Sequence, residues 1–343
     1  MRLGLLAMNS SINFGLPGAI GADRTLEVVR HAERLGYDSV WTAEASGTDA
    51  VAPLAWLAAQ TSTIKLGTAI MQLTARTPTV TAMTAATIDQ LSGHRFLLGL
   101  GVSGPAVVEG WHGVPYGRPL TRTREYVAIV REVLAAQPVD HAGPYYDVPN
   151  VGPGTTGLAG PLKLMFKPRR PDIPIYLAAI GAKNVALAHE LADGLIPAYY
   201  SPYREQIFFA GVSPSLRQRP VEIAPFVPIA MGPDLQKCRN RLKLSLAIWV
   251  GGMGAKGINF YNDLVRRLGF EEAATEIAEC YAMGKPARAA AAVPDALVDE
   301  IALCGPRERI AEQLDVWKKS SVTTLILRDA DLEAVTAVAE LVL

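Results

Sequence analysis

The sequence predicts a single (β/α)8 barrel, a TIM barrel spanning residues 1–343, and three observations predict it. Short apolar runs of strand length alternate with segments of helical period along nearly the whole chain. The runs number eight, an even count that favours closure over the rival arrangement, a doubly wound sheet. Half of the 343 residues are apolar, ample for one large core. Two stretches depart from the rhythm, after the fourth and seventh runs. They read as insertions, and no linker or internal repeat divides the chain.

Each unit has its own signals. Arg2–Met8 is an apolar strand. Asp23 can cap a helix Arg24–Leu35 that Gly36 stops. Asp38–Thr42 is the second strand and Val51–Gln60 the second helix, followed by Ile64–Ile70 as the third strand. Pro78 opens a helix that runs through Asp89, and Arg95–Leu100 is the fourth strand. Gly101–Leu120 reads as irregular and Arg122–Ala136 as an amphipathic helix. The stretch His141–Arg170 is rich in Gly, Pro and aromatics, an insertion with one hairpin. Ile173–Ala179 and Gly194–Ala198 are strands five and six, and Glu222–Met231 is strand seven. A long helix Pro233–Val250, a mostly helical insertion Gly251–Asp295 and a helix Pro306–Ser320 lead to strand eight, Val322–Leu327, and a closing helix Leu332–Leu341.

Composition excludes several functions. Formal net charge is zero with no basic block, so nucleic acid is not an expected partner. No apolar run reaches the length of a membrane span, and the N-terminal apolar stretch breaks at Asn9-Ser10-Ser11, before it could serve as a signal sequence. Cys238, Cys280 and Cys304 are far apart and have no metal-ligand spacing. They read as reduced, buried thiols of a cytoplasmic protein.

The stretch from Gly93 to Gly113 organises the functional reading. Arg95–Leu100 ends in Gly99-Leu-Gly101-Val-Ser-Gly104, a literal match to the dinucleotide fingerprint. Pro105 follows, no long helix opens, and the basic group Thr121-Arg-Thr-Arg124 stands where an acid should. The favoured reading is a strand end opening into a glycine-rich loop that lets backbone approach a flat ligand. The plain alternative is a tight structural turn.

In a barrel, chemistry sits at the carboxyl ends of the strands. There the sequence offers no Ser/His/Asp grouping, no carboxylate pair and no histidine cluster, so a metal site is not expected. A mouth with so few acids and bases implies that a cofactor carries the reaction. Ile180-Gly181-Ala182-Lys183, a glycine before a helix start directly after a strand, suits a phosphate as well as it suits an ordinary turn.

At these residues the chain resembles a known family. Tyr37-Asp-Ser-Val-Trp41-Thr-Ala-Glu44, Leu66-Gly-Thr-Ala-Ile70, Leu91-Ser-Gly-His-Arg95, Leu98-Gly-Leu-Gly-Val-Ser103 and Ile175-Tyr-Leu-Ala-Ala-Ile-Gly181 resemble the bacterial-luciferase-like superfamily of flavin and deazaflavin enzymes. Val102–Trp111 and Trp249–Gly254 are similar to its actinobacterial branch that uses coenzyme F420, close to the methylene-tetrahydromethanopterin reductases. The resemblance implies a cofactor held by Glu44, by a strand-three bulge with a cis peptide at Ala69 and Ile70, by Val102 and Ser103, by a phosphate turn at Gly181 and Ala182, and by Ala198 and Tyr199. It also implies a homodimer. Proton delivery would fall to His112 or Glu109, and Trp111 and Tyr200 would contact substrate. Lys163, Lys167, Arg169 and Arg170 form the densest basic group of the first insertion, a candidate contact for the cofactor's anionic tail.

Three positions depart from the family's sugar-phosphate dehydrogenases. Ala45 replaces a histidine, Gly104 a glutamate and Ser201 a substrate-phosphate lysine, which argues against sugar-phosphate oxidation. The expected activity is hydride transfer between F420 and a small or medium organic substrate. The alternatives are an FMN-dependent monooxygenase of the same fold and a non-catalytic protein that only binds the cofactor.

Overall fold

The computed structural model describes residues 1–9, 21–254 and 258–343. Its strands in order are β1 (Arg2–Asn9), β2 (Ser39–Ala43), β3 (Lys65–Thr68), β4 (Met71–Gln72) and β5 (Phe96–Gly101). The hairpin β6 (His141–Ala142) and β7 (Asp147–Val148) follows, then β8 (Ile175–Ala178) and β9 (Gly194–Ile196). The last four are β10 (Glu222–Ile223), β11 (Phe226–Met231), β12 (Leu303–Gly305) and β13 (Thr324–Arg328).

Apart from the hairpin these strands form one curled parallel sheet, in the order β10-β9-β8-β5-β3-β2-β1-β13-β11-β12, with β4 also on β5. The segment 222–231 takes part twice. Glu222 and Ile223 pair with Gly194 and Leu195, and Phe226–Pro228 pair with Ile326–Arg328. Helices connect the successive strands of the sheet, as parallel pairing requires, except on the direct runs from β3 to β4 and from β10 to β11.

Side chains alternate across a strand, so the curled sheet has an inner and an outer face. Leu98 and Leu100 join the large cluster shared with the surrounding helices. Leu97 instead faces inward with Leu6, Trp41, Ala69, Tyr176, Ile196, Ala224 and Ile326, a set drawn from successive strands around the curl. Trp41 and Tyr176 fill this interior, edge to face with centroids 5.2 Å apart. Glycines make the room for them. A Cβ on Gly67 would stand 2.2 Å from the Trp41 ring, and one on Gly194 would stand 2.1 Å from the Tyr176 ring.

Several expectations need correction. A helix, Pro105–Gly110, opens directly after Gly104 where irregular chain was expected. Proline is well suited to a first helical turn, because the N–H it lacks would find no partner there. Strand β12 was not foreseen; at three residues, wedged between helices, it leaves almost no periodic signal. The first helix starts at Ala22, and the backbone of Gly21 rather than the side chain of Asp23 stands at its N-cap. The helix Leu235–Ala247 continues as a π-helical turn, Ile248–Gly252. The three cysteines are buried and free. Among the described residues no helix is long and apolar enough to cross a membrane.

Candidate functional site

In a parallel sheet all the strand carboxyl ends gather at one end, and three of the five non-glycine residues with positive φ among the described residues stand there. Ser103, Tyr199 and Asp329, each just past a strand, adopt φ of 59°, 48° and 64°. Left-handed conformations cost non-glycine residues roughly 1–3 kcal/mol each and collect at functional sites. The peptide bond between Ala69 and Ile70 is cis, where the resemblance puts it.

Gly99 turns out to answer to the chain itself rather than to a ligand. A Cβ there would lie 1.8 Å from the Thr68 carbonyl oxygen, and the Thr68 hydroxyl donates to Gly99 O at 2.8 Å. Gly101 likewise makes room for the Ile70 side chain. The glycines of the fingerprint-like run therefore shape the bulge between β3 and β4, and this corrects the flat-ligand reading of Gly99. Gly104 differs, with nothing within 4 Å of its missing Cβ.

A chain of polar contacts crosses this end of the sheet. Glu44 Oε1 accepts from Gln72 N at 2.9 Å and from Arg76 Nη1 at 2.7 Å, and its Oε2 accepts from Ala50 N at 3.2 Å. Arg76 also pairs with Asp49. Glu44 thus fastens the loop after β2 to β4, and its carboxylate is largely committed within the protein. Breaking so buried an ion pair from one side costs about 3–5 kcal/mol. Gln72, 1% exposed, continues the chain: its Nε2 donates to Ala45 O at 3.1 Å and its Oε1 meets His112 Nε2 at 3.0 Å. With the amide nitrogen committed to Ala45 O, Oε1 can only accept, so neutral His112 carries its proton on Nε2. Nδ1 is then the basic atom. The strand-end rule puts Ala69–Gln72 at the mouth of the barrel, but Gln72 carries no motif that would assign it a role.

The other expected residues divide. Glu109 is exposed, accepts from Tyr116 N at 3.0 Å and takes no part in the Glu44–Gln72–His112 chain. Trp111 stands 65% exposed beside His112. Val102, Ser103 and Ala198 are half-buried at their strand ends. Tyr200 does not face a substrate. It is fully buried, packs 4.8 Å from Phe208 and 6.2 Å from Trp317, and its hydroxyl donates to Glu205. Arg170 is no part of a surface basic group either: it pairs with Asp89 and donates to Phe96 O at the opposite, amino end of β5. Lys163, Lys167 and Arg169 are exposed.

Gly181 stands at the N-cap of the helix Ala182–Leu191, with no side chain capping it. Its φ of −77° is open to any residue, and nothing lies within 4 Å of its missing Cβ. Neither conformation nor packing calls for glycine here, and the helix start stands open to solvent. Arg267, which the sequence reading missed, donates to the adjoining Ile180 O at 2.9 Å. A guanidinium beside an uncapped helix start is a set of donors that suits a phosphate.

Comparison with known proteins places the chain in a family. Residues 1–324 match the luciferase-like monooxygenase family. The chain belongs to that family. A Mycobacterium tuberculosis protein named "Putative coenzyme F420-dependent oxidoreductase" is 43% identical over 98% of this chain and 99% of its own. The 5,10-methylenetetrahydromethanopterin reductase of Methanolobus tindarius is 28% identical over 87% of this chain and 89% of its own. The solved structure of the coenzyme F420 dependent tetrahydromethanopterin reductase of Methanopyrus kandleri has the same fold. It superposes with a TM-score of 0.80 at 20% identity, covering 99% of this chain and 97% of that one.

Proposed function

We propose that this member of the luciferase-like family is a cytoplasmic oxidoreductase that transfers a hydride between coenzyme F420 and a small or medium organic substrate. Its curled sheet is a single (β/α)8 barrel of residues 1–343, with insertions after the fourth and seventh barrel strands. The observation that carries the cofactor reading is the turn Ile180–Lys183, with its open glycine, uncapped helix start and neighbouring Arg267. The 43% identity to a protein named for F420 supports the same reading.

The residues present fit such a cofactor. Gly181, Ala182 and Arg267 would hold its phosphate, and Ala69, Ile70, Val102, Ser103, Ala198 and Tyr199 would surround its ring. When bound, the deazaflavin supplies or accepts the hydride. The chain's own part is to orient substrate, exclude water and move a proton. His112 Nδ1 is placed to exchange that proton with substrate. Gln72 holds the ring by Nε2, and Glu44 holds Gln72 through its main chain. Glu109 is a second, exposed proton donor, and Trp111 offers an apolar surface to substrate. A homodimer is part of the proposal; the exposed Val80, Met83 and Leu91 on the helix Pro78–Leu91 support it.

The family's description as monooxygenases keeps an FMN reading in view, and one titration series separates the two. The apo protein should bind F420 at least about tenfold more tightly than FMN, a difference of about 1.4 kcal/mol, and should consume no oxygen with reduced FMN. Preference for FMN together with oxygen uptake would replace this proposal with a monooxygenase. Tight F420 binding with no turnover on any acceptor would leave a cofactor-binding protein.

A further inference from the structure

Residues 149–174, between β7 and β8, form neither helix nor strand. Leu162 O accepts from Val139 N at 2.9 Å, and Arg170 pairs with Asp89 and donates to Phe96 O at the start of β5. Leu164 packs against the core and Pro168 is buried, so the run is seated, and Arg170 ties it to the amino end of the sheet. Its other side chains stand out. Leu158 and Leu162 are 88% and 81% exposed, Met165 is fully exposed, and Val151 and Phe166 are exposed as well. Five of the fifteen exposed large apolar side chains among the described residues thus fall within residues 151–166. The same segment is basic. No acid stands between Asp147 and Asp172, and of the four cations there only Arg170 pairs with an acid among the described residues. Lys163, Lys167 and Arg169 are exposed.

We propose that this segment attaches the protein peripherally to a membrane surface rich in anionic lipid. Leu158, Leu162, Met165 and Phe166 enter the interface, and Lys163, Lys167 and Arg169 meet lipid phosphates. Exposed apolar clusters mark contacts with proteins or membranes, and charge decides between the two here. A second copy of the chain offers no acidic counterpart. Its own segment is equally basic, and the exposed stripe Val80, Met83 and Leu91 stands on a helix whose one acid, Asp89, is buried and held by Arg170. An anionic bilayer supplies both halves, phosphates at its surface and hydrocarbon just below. The position suits attachment too. The segment is tied to the amino end of β5, whereas His112 and the turn at Gly181 lie past the carboxyl ends of β5 and β8, so a bound surface leaves the candidate site open.

The inference stands apart from the cofactor reading and is tested on the full chain by flotation with vesicles. Pure phosphatidylcholine is compared with an equal mixture of phosphatidylcholine and phosphatidylglycerol. Each cation near an anionic surface contributes about fivefold, so the mixed vesicles should bind about a hundredfold more tightly, and added salt should narrow the difference. Lys163→Gln, Lys167→Gln and Arg169→Gln combined should erase it. Leu162→Ser with Met165→Ser, at side chains that stand clear of the fold, should weaken binding to the mixed vesicles at least about tenfold. No binding to either vesicle, equal binding to both, or unaltered binding in either combined variant overturns the proposal. A serine variant that falls from dimer to monomer by light scattering would make this face a subunit contact. A glutamine variant that loses affinity for F420, read by the cofactor's own fluorescence, would return these cations to the cofactor's tail. Either result overturns the membrane assignment.

Discussion

Replacing Gln72 with methionine tests the polar chain at the sheet's carboxyl end most directly. Methionine keeps the length and roughly the volume of glutamine but neither donates nor accepts in earnest. Two hydrogen bonds go, the one to Ala45 O at 3.1 Å and the one with His112 Nε2 at 3.0 Å. Net loss of about 0.5–1.5 kcal/mol for each, or about 1–3 kcal/mol together, is the expected stability cost. The effect on His112 is more specific. In the native protein a neutral ring with its proton on Nδ1 would face lone pair to lone pair with Gln72 Oε1. Forgoing that hydrogen bond costs about 1–1.5 kcal/mol, a bias of roughly fivefold to tenfold toward the Nε2–H form. Two- and three-bond proton–nitrogen correlation spectra of nitrogen-15 histidine-labelled protein, taken where imidazoles are neutral, report the tautomer of each ring. A His112→Asn sample identifies the signal, and the other four histidines report whether each variant is folded. Native protein should show His112 as Nε2–H, and Gln72→Met should show a mixture. An Nδ1–H ring in the native protein, or a tautomer indifferent to Gln72→Met, would refute the hydrogen-bond argument and with it the choice of Nδ1 as the basic atom.

Three more outcomes are expected. Gly181→Asp should leave thermal stability unchanged or slightly raised, since Asp is a better N-cap than Gly by a few tenths of a kcal/mol, yet should abolish F420 binding; Arg267→Gln should weaken it severalfold, and unchanged affinity in both would remove the phosphate from this turn. Gly99→Ala should cost more than about 2 kcal/mol because its Cβ meets the Thr68 carbonyl at 1.8 Å, and a melting temperature equal to the native one would contradict that packing. Glu33 is partly desolvated, but the N–H groups of Thr63, Ile64 and Ser62 outweigh burial and hold its carboxyl below the usual range. A depressed pKa stabilises above the unfolded value of about 4.3 and fades as pH falls through the folded one, so Glu33→Gln should lower the melting temperature at pH 7, with the gap to the native protein shrinking as pH falls below that range; a gap independent of pH would show that ionisation is not the cause.

What could be read from the sequence was what local chemistry decides. Apolar runs marked the strands that close the curl from Arg2 to Arg328, though not the short β12, because a strand buried on both faces needs no partner's identity to look apolar. The glycine before the helix Ala182–Leu191 was legible for the same reason. Distant partners decided the rest. Arg170 lies in a basic run yet spends its charge on Asp89, 81 positions away. Gly99 looked like part of a ligand loop, but its constraint is the Thr68 carbonyl on a neighbouring strand. Gln72 and Arg267 belong to no motif, and only the folded chain puts one beside His112 and the other beside Ile180.

Tyr199 and Tyr200 show most sharply where sequence reading stops. Both follow β9, and as letters they are the same residue, so assigning both to the site was the consistent choice. Side chains of successive residues diverge in extended chain, and the left-handed turn at Tyr199, φ 48°, fixes which way each one leaves. Tyr199 turns toward Arg328 and Tyr261, whereas Tyr200 enters the helix layer against Phe208 and Trp317 and gives its hydroxyl to Glu205. A hydroxyl committed to the Glu205 carboxylate inside the helix layer has nothing left to offer a substrate. Tyr199→Phe, at a residue proposed to border the cofactor ring, should change F420 binding with little loss of stability. Tyr200→Phe should do the opposite, costing about 0.5–1.5 kcal/mol for the lost hydrogen bond to Glu205, which keeps its donors from Ser321, while leaving ligand affinity intact. If melting curves and titrations gave the two tyrosines the reverse behaviour, the division drawn between the site and the core would be wrong.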